Sequence, residues 1–477
     1  VKTDGTGDYT TIQAAIDAAV DSDTVLVSKG TYYENLSIQD KNVSLKSEAG
    51  RDSTIIDGLL NGTVLKIDGS NITVSKTIID GFTIQKGYAE NGGGVHTTSS
   101  ASITLKNSII KDSKTSGSFG GGLYLTGSSS IIENCVFSGN QGIEGGAICL
   151  RNDEGTQINN CQFSGNTGSG SGSSIEIVYD GSGHQKITNS TFKDESNFIA
   201  IEQAYNDSVT ITNCSFENSD RKAIDASTVK YLKIESCSFK DITNESGTGG
   251  AIFSNSENLT ISKSVFINCS NESSGRGAIV YNDANNVNIY FDQNIVYGCP
   301  LAPDGMNEGN LFYTDGSDDN LFITSSVLFN PAFSNWTQMY KADYSSSNVD
   351  VSYSSVNVAL PDGVGLLGNF SSHPLFCSIE PLDRLVAENS SLIGTGENSV
   401  NVGNVEVGCE SVPLGGPRWY ISSTLGTDDN FGSSVSPFAT FSKAYQMAVS
   451  GDTIIFIDGD YTEEKMTFSD GKAVNLA

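Results

Sequence analysis

The chain has 477 residues, with 27 basic against 56 acidic side chains and a formal net charge of -29. An acidic balance that strong, spread along the chain, excludes binding to nucleic acid or to an anionic membrane surface through basic patches, and no apolar run nears the roughly 20 residues of a direct membrane span. With 51 Gly, only 9 Pro and 37% hydrophobic residues, the sequence can bury a long core while turning often.

No charged-then-apolar leader opens the sequence, and Val1 in the first position predicts a mature or truncated product. The first element is a helix over Tyr9–Val20, where Ile12, Ala15, Ile16 and Ala19 share one face and Thr10 with Gln13 has capping-box spacing. Its expected task is to plug the N-terminal end of a stack of strands.

A repeat occupies the middle of the chain. An aliphatic residue, a spacer, Asn, Cys or Ser, a spacer and a Phe or Ile recur, as in Leu105-Lys106-Asn107-Ser108-Ile109-Ile110, Ile132-Glu133-Asn134-Cys135-Val136-Phe137 and Ile158-Asn159-Asn160-Cys161-Gln162-Phe163. The phrase returns at Ile187–Phe192, Ile211–Phe216, Ile234–Phe239 and Ile261–Phe266, always after about 25 residues, the period class of solenoids. Period-two alternation turns Ile, Cys or Ser, and Phe inward and leaves Asn at a bend, where its tolerance of left-handed backbone is needed. Repeated coil after coil, the Asn amides can bond one another along the axis. A Gly-Gly-aliphatic phrase, such as Gly121-Gly122-Leu123 or Gly249-Gly250-Ala251-Ile252, precedes each copy as a crowded corner. The fold class is therefore all-β, a right-handed parallel β-helix with an N-terminal capping helix, of about sixteen coils and about 75 Å.

Four cysteines, Cys135, Cys161, Cys214 and Cys237, hold one repeat position, which favours a ladder of buried thiols over a metal site or stacked disulfides. His96, His184 and His373 share no ligand spacing. Tyr124, Tyr179, Tyr281 and Tyr290 could form a sugar-stacking face or be ordinary half-buried rings. Further on, Asp315, Asp318 and Asp319 form an oxygen-rich turn that could hold calcium or simply be solvated, since it lacks the Glu that completes an EF-hand loop. No other cofactor is implied. Sequons stand at Asn35, Asn71, Asn258, Asn335 and Asn389, as glycosylation candidates or as chance products of a composition rich in Asn, Ser and Thr.

His373-Pro374-Leu375-Phe376 and Ser391–Gly396 look like a closing element, in which Cys377 and Cys409 are either a staple or two separate thiols. Pro413-Leu414-Gly415-Gly416-Pro417 then breaks regular structure. Beyond it the opening repeats. Tyr9, Thr11, Ala15, Val20, Asp23, Thr24, Val25, Gly30, Tyr32 and Glu34 match Phe438, Thr440, Ala444, Val449, Asp452, Thr453, Ile454, Gly459, Tyr461 and Glu463 at one constant offset. The domains expected are a complete, capped β-helix over 1–412, a linker over 413–417, and the cap and first coils of a second, truncated β-helix over 418–477, within a longer tandem array.

The opening Asp4-Gly5-Thr6-Gly7-Asp8-Tyr9 with Thr11–Ile16 and Gly30-Thr31-Tyr32-Tyr33-Glu34 resembles the start of the pectin-lyase-like superfamily, which includes pectin methylesterases. The second opening is similar to the same cap in bacterial secreted β-helix proteins. Gly-Gly-Ala-Ile paired with Phe137-Ser138-Gly139-Asn140 and Phe163-Ser164-Gly165-Asn166 resembles the repeats of polymorphic outer membrane proteins, which act as adhesins. Such a resemblance is specific for fold and poorly specific for function.

The enzymes of that superfamily imply motifs that can be sought directly. The Gln-Asp and Asp-centred motifs of the esterases are absent, and Gly416-Pro417-Arg418-Trp419 only resembles their Arg-Pro-Trp. Arg151, Arg221 and Arg276 lack the carboxylate context of the lyases, and Gly183-His184-Gln185 departs from the Gly-His-Gly of the hydrolases. The paired carboxylates Asp318-Asp319 and Asp428-Asp429 point to opposite faces if on a strand, which suits acid–base work badly. The expected function is thus an extracellular or cell-surface structural or adhesive β-helix, in partnership with other copies or tandem domains and with surface glycans, and able to serve as a filament subunit. The alternative is a polysaccharide lyase or hydrolase.

Overall fold

The computed structural model describes all residues except 70–76, 100, 118, 128, 153, 171, 179–182, 203, 228, 246–247, 273–275, 300–310, 330–339, 343–346, 357–366, 371–373, 378–383, 412–417, 429, 431, 435, 449–451 and 462–472, and except the side chains of 204–207, 341–342 and 446. The linker expected over 413–417, Asn71, Asn335, Tyr179, His373 and Asp429 lie outside the described residues.

Alternating apolar residues make short strands that cannot bury their inner face alone, so each coil stacks on the next. Three long parallel sheets and a short four-stranded one result: sheet 1 of 13 strands begins at β1 (Thr24–Val27), sheet 2 of 14 strands at β2 (Gly30–Tyr32), and sheet 3 of 12 strands at β3 (Leu36–Gln39). The chain visits sheet 1, sheet 2 and sheet 3 in turn and returns to sheet 1 one coil along. The repeat sets the register: Ile132, Ile158, Ile187, Ile211, Ile234 and Ile261 align in sheet 1, and Phe137, Phe163, Phe192, Phe216, Phe239 and Phe266 in sheet 2. The coils are fewer than the sequence period suggests because they lengthen toward the far end, where Phe291 aligns with Ile323. The described stack ends where Phe370 pairs in parallel with Ser355. Thirteen strands at roughly 4.8 Å span about 60 Å.

Each corner has a local cause. Between sheets 1 and 2 a single residue turns the chain, and Asn107, Asn134, Asn160, Asn189 and Asn213 all have φ between 51° and 56° there. Their amides bond along the axis: Asn134 donates to Asn107 at 3.3 Å, Asn160 to Asn134 at 2.6 Å and Asn213 to Asn189 at 3.2 Å. At the corner into sheet 3, Gly120 has φ 61°, and a Cβ on Gly121 would lie 2.4 Å from the carbonyl oxygen of Gln141. The four ladder cysteines are buried, free, and turned toward carbonyls such as Glu133 O and Leu105 O.

The first helix, α1 (Ile12–Ala18), is capped by Thr11, whose hydroxyl accepts from Ala14 N, and not by Thr10. Gln13, the expected partner in the capping box, instead serves β3. Its Oε1 accepts from Ser37 N at 2.8 Å and its Nε2 donates to Ser37 O at 3.1 Å, so one side chain pairs with the strand as a neighbouring backbone would. Glu34 accepts from Ile12 N and Gln13 N at the helix start, and Lys41 donates to Ile16 O and Ala19 O at its end, each charge matching the helix dipole.

The segment through Cys409 lies along the side of the stack. Phe376, Val386, Leu392 and Val402 pack on Val265, Ile295 and Val327 of sheet 2. A disulfide joins Cys377 to Cys409. Beyond residue 417, strands Arg418–Ile421, Thr453–Phe456 and Asn475–Leu476 form a parallel sheet, with α2 (Phe441–Met447) capped by Thr440 as α1 is by Thr11.

Candidate functional site

At the end of each sheet 2 strand, one residue bends the chain and the next points inward. The bend residues Asp112, Gly139, Gly165 and Asp194 all have positive φ, and the inward residues are Ser113, Asn140, Asn166 and Glu195. Asn140 Nδ2 donates to Ile110 O and Asn166 Oδ1, both at 2.9 Å. Asn166 Nδ2 donates to Phe137 O at 3.0 Å and to Glu195 Oε1 at 2.7 Å, and Asn166 N donates to that same oxygen at 2.9 Å. The Ser174 hydroxyl donates to the other Glu195 oxygen. Glu195 thus accepts bonds at the ladder position where another Asn would sit. Burial pushes its carboxyl up to about 7, with the charge of Asp194 adding, against the opposing pull of those donors.

A cavity of about 400 Å3 opens beside it, lined among others by Asn166, Ser173, Asp194, Glu195, Ser196 and Asp220. Ser196 donates to Asp220 and Asn218 to Asp194, so the acidic mouth is held in place. A concave site beside one carboxyl raised toward neutrality by burial is the candidate that the described residues offer. Both Glu195 oxygens are nevertheless bonded inward, to Asn166 and Ser174, which suits a ladder end better than a group aimed at substrate. Sequence reading missed this pocket. The signal was a break in the repeat, where Phe163-Ser164-Gly165-Asn166 is followed one coil later by Phe192-Lys193-Asp194-Glu195.

The other candidates are scattered. Tyr124 and Tyr281 are 7% and 3% exposed: Tyr124 stacks on Phe119, and Tyr281 lies between Phe253 and Tyr313 with its hydroxyl 3.1 Å from Asp315 Oδ2. Tyr290 stands out on sheet 1, 43% exposed and stacked on Phe322, with Tyr231 exposed on the same face. Arg151 covers the Phe119 ring and Arg276 the Tyr313 ring, so both guanidiniums complete aromatic packing. Burial, then the charge of Lys66, pushes His96 down to about 4, while His184 is exposed beside Ser208 and Thr210.

Asp318 and Asp319 lie just before the strand Asn320–Thr324 and not on a strand. Asp318 is exposed, whereas Asp319 is buried, accepts from Val287 N and Asn282 Nδ2, and is raised by that burial. Asp315 faces Tyr281, and among the described residues no three His, Cys, Asp or Glu side chains are grouped as metal ligands. Asp428 accepts from Ala439 N, Thr440 N and the Thr440 hydroxyl and so organises the start of α2. Of the sequons, Asn35 and Asn389 are exposed, although Asn35 Nδ2 donates to Thr63 O, and Asn258 is half-buried on sheet 1. No described helix is long and apolar enough to cross a membrane.

The family described as a right handed beta helix region matches residues 63–177 and 146–328, more than half of the chain. Comparison with curated protein sequences finds no match. Among solved structures, a PL6 family alginate lyase aligns at 12% identity over 97% of this chain and 65% of its own, with a TM-score of 0.35. The catalytic unit of a GH87 alpha-1,3-glucanase from Streptomyces thermodiastaticus aligns at 13% identity over 76% of this chain and 66% of its own, with a TM-score of 0.36. A Family 28 exopolygalacturonase of Yersinia enterocolitica aligns at 11% identity over 76% of each chain, with a TM-score of 0.34. The first two alignments span just under two thirds of those proteins' own lengths.

Proposed function

The chain belongs to the right-handed parallel β-helix family, the fold of the pectin-lyase-like superfamily, and from that premise we propose that it is an extracellular structural or adhesive rod, one unit of a tandem array, without catalysis of its own. The observation that carries this reading is the repeated opening. Thr11 and Thr440 cap helices of equal length at matching positions, and the strand after each, Thr24–Val27 and Thr453–Phe456, pairs in parallel with a later strand. A chain that begins its fold twice is suited to extension. Surface glycans are the partners that fit the exposed Tyr290–Phe322 stack and Tyr231, because sugar rings pack on aromatic faces while the surrounding Asn, Ser and Thr side chains offer hydrogen bonds. Among the described sequon candidates, the exposed Asn35 and Asn389 are better placed than the half-buried Asn258 to carry glycans themselves.

The polysaccharide-active alternative has one specific observation in its favour, the acidic pocket around Glu195. One experiment separates the two readings. The chain is incubated with acidic and neutral polysaccharides while new reducing or unsaturated ends and retention on the same polymers are measured together. Retention without new ends, weakened by Tyr290→Ala, supports the adhesive rod. New ends whose formation is abolished by Glu195→Gln would overturn it.

A further inference from the structure

The two openings agree bond for bond over their first turn. Ser28 N donates to Val1 O at 3.0 Å, as Ile457 N does to Ile421 O at 2.9 Å. Lys2 N donates to Tyr9 O at 3.0 Å, as Ser422 N does to Phe438 O at 2.8 Å. The hydroxyls of Tyr32 and Tyr461 reach Val1 O and Ile421 O in the same way. Val1 therefore holds the place of Ile421.

In the second opening the three residues before that place belong to a strand. Arg418, Trp419 and Tyr420 run parallel to Thr453, Ile454 and Ile455. Trp419 is 8% exposed in a nest of Phe438, Ala444, Ala448 and Ile454, and its indole N–H donates to Asp452 Oδ2 at 2.8 Å. The constant offset maps that nest onto Tyr9, Ala15, Ala19, Val25 and Asp23. All five line a single cavity of about 510 Å3. The consequence for burial is direct: Phe438 is 0% exposed, whereas its counterpart Tyr9 is 38% exposed, and Leu26 on the adjoining strand is 43% exposed.

We propose that this cavity and the outer edge of β1 form a docking slot for an extended, tryptophan-bearing strand, supplied by polypeptide joined to Val1. The strand pairs in parallel with Thr24–Leu26 and sets its indole among Tyr9, Ala15, Ala19 and Val25, with the N–H toward Asp23. An unpaired edge and an aromatic-lined hollow are thereby covered by one element. The inference stands apart from the adhesive and tandem readings, since it needs only the two openings to be one structure.

The test places Arg-Trp-Tyr ahead of Val1, in a chain whose own Trp336 and Trp419 are replaced by Phe, and compares it with an Arg-Ala-Tyr extension. The slot predicts blue-shifted tryptophan emission, a several-fold lower acrylamide quenching constant than for free tryptophan, and a higher Tm than the Ala version. Asp23 also accepts from Val20 N at 2.9 Å, so Asp23→Ala should lower the Tm of both versions, and of the Trp version by more. Solvent-like emission with equal Tm for the two extensions overturns the slot. Saturable binding of the free tetrapeptide Arg-Trp-Tyr-Ile, with the joined tryptophan still solvent-exposed, overturns its assignment to a joined strand.

Discussion

Two ladders run side by side through the same coils, and they are stabilised in opposite ways. In the apolar one, the rings of Phe137, Phe163, Phe192, Phe216, Phe239 and Phe266 stack nearly parallel at 4.7 to 5.0 Å. That distance is the strand spacing itself, so each ring meets its neighbours without any adjustment of the coil. In the polar one, Asn140 and Asn166 each bond backward to a carbonyl and forward to the next side chain, until Glu195, whose Oε1 accepts from Asn166, ends the run of amides. The members of the apolar ladder are interchangeable, whereas each member of the polar ladder depends on the identity of the next.

The contrast is broken most severely at Phe192, which lies between two stacked rings and against Phe198. Phe192→Ala removes a fully buried ring from a stack that cannot collapse along its axis, and should cost about 4 kcal/mol. The urea midpoint measures it. A cost under about 1 kcal/mol would mean that the coils can repack, and that the ladder is a consequence of the fold and not a support for it.

Glu195 gives the next largest effect, and it depends on pH. Its folded value of about 7 lies above the usual value of 4.5, so the folded chain holds a proton that the unfolded chain releases. Stability from this group is therefore fully present below about pH 4.5 and is lost as pH rises toward 7, to a total of about 3 kcal/mol. Glu195→Gln keeps an acceptor for Asn166 and places a donor toward Ser174. It should flatten the pH dependence between 5 and 7 and stabilise the chain above 7, as thermal melts across that range would show. An unchanged slope would place the titration elsewhere. Asn166→Ala should cost about 2 kcal/mol, by leaving Phe137 O without its donor, and should raise the Glu195 value further. A pH midpoint that stays put in that variant would uncouple the two residues.

The sequence revealed the apolar ladder and the bends because both repeat the same residue type at the same place. Asn134, Asn160 and Asn213 sit at left-handed bends and bond along the axis because that backbone conformation limits the choice of residue at every coil. Coil number was less legible, since coils lengthen without changing their inward residues, as between Phe291 and Ile323. Helix α1 was legible as a helix, but the role of Gln13 was not. Spacing alone places Gln13 in a capping box, while a contact from far along the chain gives it to Ser37. Glu195 was hidden for the reverse reason: it is the departure from a repeat, and a search for paired carboxylates does not find a single carboxyl raised by burial.

The smallest expected effect tests the bend itself. Asn160 has φ 52° and is exposed, and its amide donates to Asn134 at 2.6 Å. Two contributions are mixed there, the tolerance of Asn for left-handed backbone and the amide bond in water. Asn160→Gly removes the amide and relieves the backbone, whereas Asn160→Ala removes the amide and strains it. If conformation dominates, Ala should cost about 1 kcal/mol and Gly close to nothing. If the amide ladder dominates, the two substitutions should cost the same. Because the exposed amide competes with water while the backbone has no such alternative, the first outcome is the expected one, and urea midpoints of the two variants decide it.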